Sequence, residues 1–138
     1  MAYDQIVFDW EYEEIPGYGR IFRPYVPVQL KTKEASWKSF DFIVDTGADV
    51  TMLPYYMLTL LDIDKNKLEE DEFVGIGGNS VTSWKTTITI KIGTWQLNVR
   101  AAFASDNLTP LLLGRADTLD SNFSWLFDVQ QKKIIFRK

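Results

Sequence analysis

Apolar and polar side chains alternate with a period of two over several stretches of this chain, a pattern typical of strands with one buried face. The segment YVPVQLKT at 25–32 shows the alternation clearly. It recurs over 85–105, where KTTITIKI is followed by a turn at Gly93-Thr94 and a second apolar run. This segment predicts a β-hairpin with one face in the core. Residues 124–138 predict another hairpin at the C-terminus.

Shorter segments complete the prediction. FDFIV at 40–44 and PLLLG at 110–114 are apolar enough to be buried strands, the second on both of its faces. YYMLTLLDI at 55–63 is the best candidate for a short helix, and RADTLDSNF at 115–123 is interpreted as one or two helical turns. DKNKLEEDE at 64–72 is interpreted as a solvated, charged loop. Many short strands favour an all-β barrel or sandwich with one or two short helices.

Composition bounds the class of protein. With 138 residues, 46% of them apolar, we expect one domain over 1–138, with 1–22 as an N-terminal extension packed on it or beside it. The net charge of −4 argues against a nucleic-acid partner. No apolar run reaches membrane-spanning length, and the acidic N-terminus lacks the features of a signal peptide. We therefore expect no membrane association and a cytoplasmic location.

Two residue types are missing from the sequence, and their absence limits the catalytic groups and metal ligands that the chain can supply. The chain contains no cysteine and no histidine. That excludes disulfides, cysteine nucleophiles, imidazole bases and histidine-ligated metals. We expect neither a metal nor a cofactor, and any catalytic proton transfer must use carboxylates, lysine, tyrosine or hydroxyls.

The triplet Asp45-Thr46-Gly47 directly follows the apolar strand at 40–44. A charged carboxylate at the end of a buried strand costs several kcal/mol unless something compensates it. Gly47 permits a sharp turn and the close approach of another chain. Taken alone, the triplet favours an Asx turn, in which Asp45 accepts hydrogen bonds from nearby amides, over a catalytic role.

A glycine-rich stretch forms the centre of a predicted strand–turn–strand segment and consists of Gly75, Ile76, Gly77 and Gly78. Such a tip has few packing contacts and could close over a ligand as a lid, although an ordinary hairpin turn also fits. A phosphate cradle is disfavoured, because no Lys-Ser/Thr pair follows and no helix begins there. Farther along, Arg115 follows an apolar strand, so we expect it to be partly buried and to need a carboxylate partner.

In this order, FIVDTGADVTMLP, GIGG and PLLLGRAD resemble the motifs of the retropepsins, the retroviral-type aspartic proteases, over most of the chain from Val26 to Phe136. The resemblance implies an acid-protease barrel and an aspartic endopeptidase acting on polypeptides. Aspartic proteolysis needs two carboxylates, and the chain holds a single Asp-Ser/Thr-Gly triplet. A homodimer follows, with water activated between the two Asp45 carboxylates.

The resemblance also implies roles for the residues of the active-site loop. Asp45 matches the catalytic aspartate, and Thr46 matches the residue whose hydroxyl joins the two loops across the dimer. Gly47 matches the glycine whose carbonyl accepts a hydrogen bond from the substrate backbone. Ala48 occupies a position where pepsins usually carry serine.

Further matches concern an ion pair, a flap and the substrate pockets. Asp49 is expected to pair with Arg115, and Gly75 to Gly78 match the flap, with Ile76 at its tip. The residues that match pocket walls are Val50, Pro110 and Leu112.

The chain also departs from the viral pattern. About twenty residues precede the first recognisable strand, and Val74 stands at a flap position that is glycine in the viral enzymes. The C-terminus is a long hairpin rather than a short strand, so we expect residues 124–136 to contribute to the dimer interface.

Two other interpretations remain. A catalytically silent, dimeric, peptide-binding module would keep the retropepsin fold, since fold does not determine function. The intact triplet, flap glycines and Arg115 favour the enzyme. Phosphate chemistry on the Asp-Thr-Gly loop fits poorly, because the chain is short and carries no second phosphate motif.

Overall fold

A computed structural model describes residues 4–74, 77–121 and 124–138, except for the side chain of Phe73. A short α-helix, α1, spans Met57–Leu60, and a 3-10 turn spans Lys65–Lys67. The strands, numbered along the chain, are β1 (Gln5–Asp9), β2 (Glu11–Ile15), β3 (Gly19–Arg23), β4 (Tyr25–Lys31), β5 (Trp37–Val44), β6 (Thr51–Leu53), β7 (Glu69–Val74), β8 (Ser80–Ile92), β9 (Trp95–Ala104), β10 (Leu112–Leu113), β11 (Ser124–Asp128) and β12 (Lys133–Arg137).

Seven of these strands form a barrel. Their order is β4-β5-β10-β6-β9-β8-β7, and a further pairing of β4 with β8 at Leu30 and Ile90 closes the sheet on itself. Alternation builds the core: Val26, Val28 and Leu30 of β4 are buried, while the residues between them are exposed. The predicted all-β barrel with a short helix is confirmed.

The short strand β10 lies between β5 and β6 in the barrel and pairs with both of them. It runs parallel to β5, with Leu113 beside Val44, and antiparallel to β6, with Leu112 beside Met52. The segments that precede and follow the Asp-Thr-Gly turn are therefore both hydrogen-bonded to β10.

Residues 4–23 contain three strands that the sequence pattern did not indicate. Strand β1 pairs with β12, which pairs in turn with β11, and β2 pairs with β3. Aromatic contacts attach the β2–β3 hairpin to the C-terminal one: Trp10 stacks on Phe22 at 3.9 Å between ring centroids, and Phe22 meets Phe127 edge-on at 5.7 Å. The indole N–H of Trp10 also donates to the Lys133 carbonyl at 3.0 Å.

Both hairpins predicted from alternation are present, as β8–β9 with its turn at Gly93-Thr94 and as β11–β12. The predicted helix within 55–63 is confirmed, although its α-helical part is a single turn.

Three details of the prediction were wrong. The acidic segment at 64–72 is not all loop, because β7 begins at Glu69 and pairs with β8 along its length. Residues Arg115–Leu119 form an irregular turn instead of a regular helix, since Ala116 is extended at ψ 130° and Asp117 is left-handed at φ 64°. Strand β10 is not buried on both faces, because Leu113 is buried but Leu112, which points to the other face, is half-buried.

Candidate active site

Asp45 lies where β5 ends, and neighbouring segments hold its backbone on both sides. Its N–H donates to the Leu113 carbonyl at 3.0 Å, and the N–H of Val44 donates to the Pro24 carbonyl at 2.8 Å. The Asp45 side chain is half-buried, while the next residue, Thr46, is exposed. The barrel thus presents this carboxylate at its surface from a fixed backbone.

The turn that follows orients one oxygen of the carboxylate. The N–H of Gly47 donates to Asp45 Oδ1 at 2.9 Å, and the N–H of Ala48 donates to the Asp45 carbonyl at 3.2 Å. A Cβ atom at Gly47 would lie 3.3 Å from the same Oδ1. The Asx turn considered from the sequence is therefore formed, and it leaves the second carboxylate oxygen without a hydrogen bond from the described residues.

Backbone hydrogen bonds attach the loop to the segment after β10. The N–H of Arg115 donates to the Ala48 carbonyl at 2.9 Å, and the N–H of Ala116 donates to the Asp49 carbonyl at the same distance. Gly114 donates its N–H to Thr51 Oγ1 at 3.1 Å. These contacts bring together two of the predicted segments: the active-site loop, through residues 48–51, and the Gly-Arg motif.

The predicted ion pair between Asp49 and Arg115 is not formed. Arg115 Nε lies 3.0 Å from Asp120 Oδ2, and both of these side chains are about half exposed. Since Arg115 keeps much of its hydration, it has no need of a buried counter-ion and pairs within its own turn. Asp49 meets the 115–116 segment through its backbone carbonyl only.

A different ion pair holds this turn, and sequence reasoning missed it. Arg100 on β9 donates from Nε and Nη2 to the two oxygens of Asp117 at 2.9 and 3.1 Å, and its backbone N–H adds a third bond at 2.9 Å. The hydrogen bonds from Arg100 lower the pKa of Asp117. The left-handed conformation of Asp117, which aspartate tolerates better than most residues, aims its carboxylate at β9.

Replacing Asp117 by asparagine tests the importance of this pair. A carboxyl whose pKa is lowered by folding contributes stability above its ordinary pKa and loses it as the pH falls through the folded value. We expect Asp117→Asn to lower the melting temperature at about pH 7, with the difference from the unaltered protein shrinking towards about pH 2. Asp120→Asn, in the exposed pair with Arg115, is the control and should change little. An equal loss at both pH values would refute the electrostatic account.

The predicted flap is a hairpin of β7 and β8 as far as the structure describes it. Val74 opposite Ser80 is the last pair, and Gly77 and Gly78 follow with φ of 99° and 81°, conformations that favour glycine. Gly75 and Ile76 lie outside the described residues. The side chain of Val74 is 76% exposed.

The three predicted pocket residues occupy different surroundings. Val50 is half-buried and lines a cavity of about 240 Å³ beside β8 and β9. Leu112 is half-buried on β10, and Pro110 is exposed just before that strand. Val50 lies in the active-site loop, and Leu112 lies on β10, which pairs with β5 and β6 on either side of that loop. Contact of these residues with a substrate stays a prediction.

Comparison with known proteins identifies the family. The family described as "gag-polyprotein putative aspartyl protease" matches residues 34–119, more than half of the chain. The chain therefore belongs to this family of retropepsin-like aspartic proteases, as its motifs predicted. No curated protein sequence gives a significant match.

Two solved structures are similar to this one. A retropepsin-like aspartic protease from Rickettsia conorii superimposes with a TM-score of 0.66 at 18% identity, over 96% of this chain and 98% of that one. The EIAV protease in complex with the inhibitor HBY-793 superimposes with a TM-score of 0.54 at 26% identity, over 71% of this chain and 86% of that one. Both likenesses support the retropepsin-like fold, and the first spans the N-terminal strands as well. In the part of the chain that the structure describes, no helix is long and apolar enough to cross a membrane.

Proposed function

We propose that this protein is an aspartic endopeptidase whose active form is a homodimer. The observation that carries the proposal is the Asp45 carboxylate, oriented by Gly47 through one oxygen at the surface of a retropepsin-like barrel. A second Asp45 from a partner subunit would complete the pair that aspartic proteolysis requires. Val50, Pro110 and Leu112 would form apolar pocket walls, which favour bulky apolar side chains near the bond that is cut.

In the proposed mechanism the two carboxyl groups share one proton, because like charges a few ångströms apart cannot both ionise cheaply. The ionised group removes a proton from a water molecule as that water attacks the peptide carbonyl carbon. The protonated group donates a hydrogen bond to the carbonyl oxygen, and a proton then passes to the leaving nitrogen as the C–N bond breaks. Activity should therefore fall on both sides of an acidic optimum.

The topology offers a surface for the dimer. Strand β11 is an edge of the three-stranded sheet, and the backbone groups of such an edge are available for pairing with a second copy. Cross-strand neighbours Val7, Ile135 and Leu126 form an apolar row on one face of this sheet, and the two outer side chains are 45% and 43% exposed. Pairing of β11 with its symmetry mate would join the sheets of both subunits, and Thr46 would meet its counterpart beside the two carboxylates.

Subunit mixing tests the dimer. The specific activity of the unaltered chain should rise with protein concentration, because a monomer carries half of the site. Adding an equal amount of the Asp45→Asn chain should reduce the activity to about half, since about half of the unaltered subunits then pair with an inactive partner. The same mass of an unrelated protein is the control.

Two results would contradict the proposal in different ways. Cleavage that is unaffected by dilution and by mixing would indicate a complete site within one chain. Peptide binding without cleavage at any concentration would favour the silent peptide-binding module.

A further inference from the structure

The cavity beside Val50 is lined by charged side chains that the proposed mechanism does not use. The cavity of about 240 Å³ that begins at Val50 continues between β7, β8 and β9. Its volume lies below the range of about 300–1,000 Å³ typical of pockets for whole small molecules, so it suits a single side chain. Among the described residues, two threonines of β8 line it together with Val50, Glu69, Lys85, Arg100, Ala101 and Ala102.

The charges around this cavity do not cancel. Lys85 Nζ lies 3.0 Å from Asp71 Oδ2, and Lys85 also stands directly opposite Glu69 in the β7–β8 register. Lys85 is therefore paired with Asp71, while the charges of both carboxylates raise the pKa of Lys85, Asp71 more strongly. Glu69 itself forms no hydrogen bond or ion pair with a described side chain.

The other cation at the cavity is already neutralised. Arg100 forms its two side-chain hydrogen bonds with the two oxygens of Asp117. An anionic ligand would therefore have to displace Asp71 from Lys85 or Asp117 from Arg100. Glu69 belongs to neither pair, although its charge acts on Lys85, and a cation would meet it without breaking either pair.

The uncharged part of the lining fits the stem of a long side chain. Val50, Ala101 and Ala102 supply apolar surface, and both alanines are almost fully buried. Lysine and arginine place their methylene groups on such surfaces and keep the charged end near water or a counter-ion. Glu69, which is exposed, stands where that charged end could remain hydrated.

We propose that this cavity is a subsite for a lysine or arginine side chain of the peptide substrate, with Glu69 as the residue that selects the positive charge. The inference rests on the proposed peptidase function and extends it. Because Val50 lines the cavity and Asp45 is not among its lining residues, the basic residue would be removed from the bond that is cut, and the apolar preference would apply next to that bond.

Peptide binding to the Asp45→Asn chain tests the subsite without requiring cleavage. The probes are fluorescent apolar peptides of about eight residues, each with a single lysine, norleucine or glutamate moved through successive positions. Norleucine keeps the lysine stem and lacks its ammonium group. At one position lysine should bind about fivefold more tightly than norleucine, the ratio expected of a largely exposed ion pair, and the advantage should shrink in high salt.

Glu69→Gln in the same chain should abolish the lysine advantage. Glu70→Gln is the matched control, because Glu70 carries the same charge, lies next to Glu69 on β7 and is not part of the cavity lining. It should leave the advantage in place. If Glu69→Gln does not fold, the lysine–norleucine ratio and its salt dependence in the Asp45→Asn chain decide the question.

The outcomes separate the two proposals. Equal binding of lysine and norleucine at every position, a preference for glutamate, no binding of any probe, or an equal loss in Glu70→Gln would overturn the subsite. Cleavage of the same peptides by the unaltered chain is measured in parallel. Lysine-dependent binding with no cleavage would contradict the peptidase and leave the subsite standing, whereas cleavage without a lysine preference would do the reverse.

Discussion

Replacing Asp45 by asparagine is expected to reduce peptide cleavage by about two to four orders of magnitude, the contribution typical of a positioned acid–base group. Asparagine has nearly the same shape, and its side-chain oxygen can still accept the hydrogen bond that Gly47 donates to Asp45 at 2.9 Å. It cannot take a proton from water. The variant should therefore fold and dimerise normally while losing the chemistry.

The matched control for this variant is Asp41→Asn, which removes the same charge from an exposed position on the same strand. It should retain cleavage. The assay runs from about pH 3 to about pH 8, over which the unaltered protein should show a bell-shaped rate. A loss of less than about tenfold in Asp45→Asn, or a rate that rises steadily through pH 8, would mean that another group performs the proton transfer.

Replacing Gly114 by alanine is expected to cost about 3 kcal/mol of folding stability, a large effect for a single methyl group. A Cβ atom at this position would lie 2.3 Å from both the carbonyl carbon and the carbonyl oxygen of Val50, and 2.8 Å from the Thr51 nitrogen. All three are backbone atoms, so no side-chain rotation relieves the contact. The segment after β10 would have to move away from the active-site loop.

The comparison variant is Gly17→Ala, which tests backbone strain without a steric clash, whereas Gly114→Ala tests the steric clash. Gly17 has φ of 84°, and a Cβ atom added there would meet nothing within 4 Å, so alanine should cost only about 1 kcal/mol. Urea unfolding of both variants at one fixed protein concentration measures the difference. Similar losses in the two variants would show that the contact with Val50 is relieved easily.

Local sequence patterns were sufficient to predict many of the strands of the barrel. Strands β4, β8 and β9 alternate apolar and polar residues, and because side chains of a strand point to opposite faces in turn, this period can be read without knowing the partner strand. The same local logic failed for β7, whose Glu69, Glu70, Asp71 and Glu72 indicate a loop by composition. Pairing with β8 satisfies the backbone of that segment and leaves its charges at the surface.

The N-terminal strands show a second limit of sequence patterns. Strand β1 is separated by more than a hundred residues from β12, its partner, and the Trp10 indole reaches the carbonyl of Lys133 over a separation of 123 residues. No window along the chain contains both members of such a pair, so neither propensity nor periodicity indicates it.

The sequence by itself determined the class of protein and the candidate carboxylate, because the Asp45 triplet, the glycine-rich stretch and the Gly114-Arg115 pair are short contiguous motifs whose order is visible in one dimension. Only the tertiary structure decided which charges meet. Arg115 pairs with Asp120, and Arg100 binds Asp117 across 17 positions, since the left-handed turn at Asp117 aims its carboxylate at β9. Tertiary structure also decided why position 114 needs glycine, because the constraint is the backbone of Val50, which is distant in sequence and in contact only after β10 has entered the barrel.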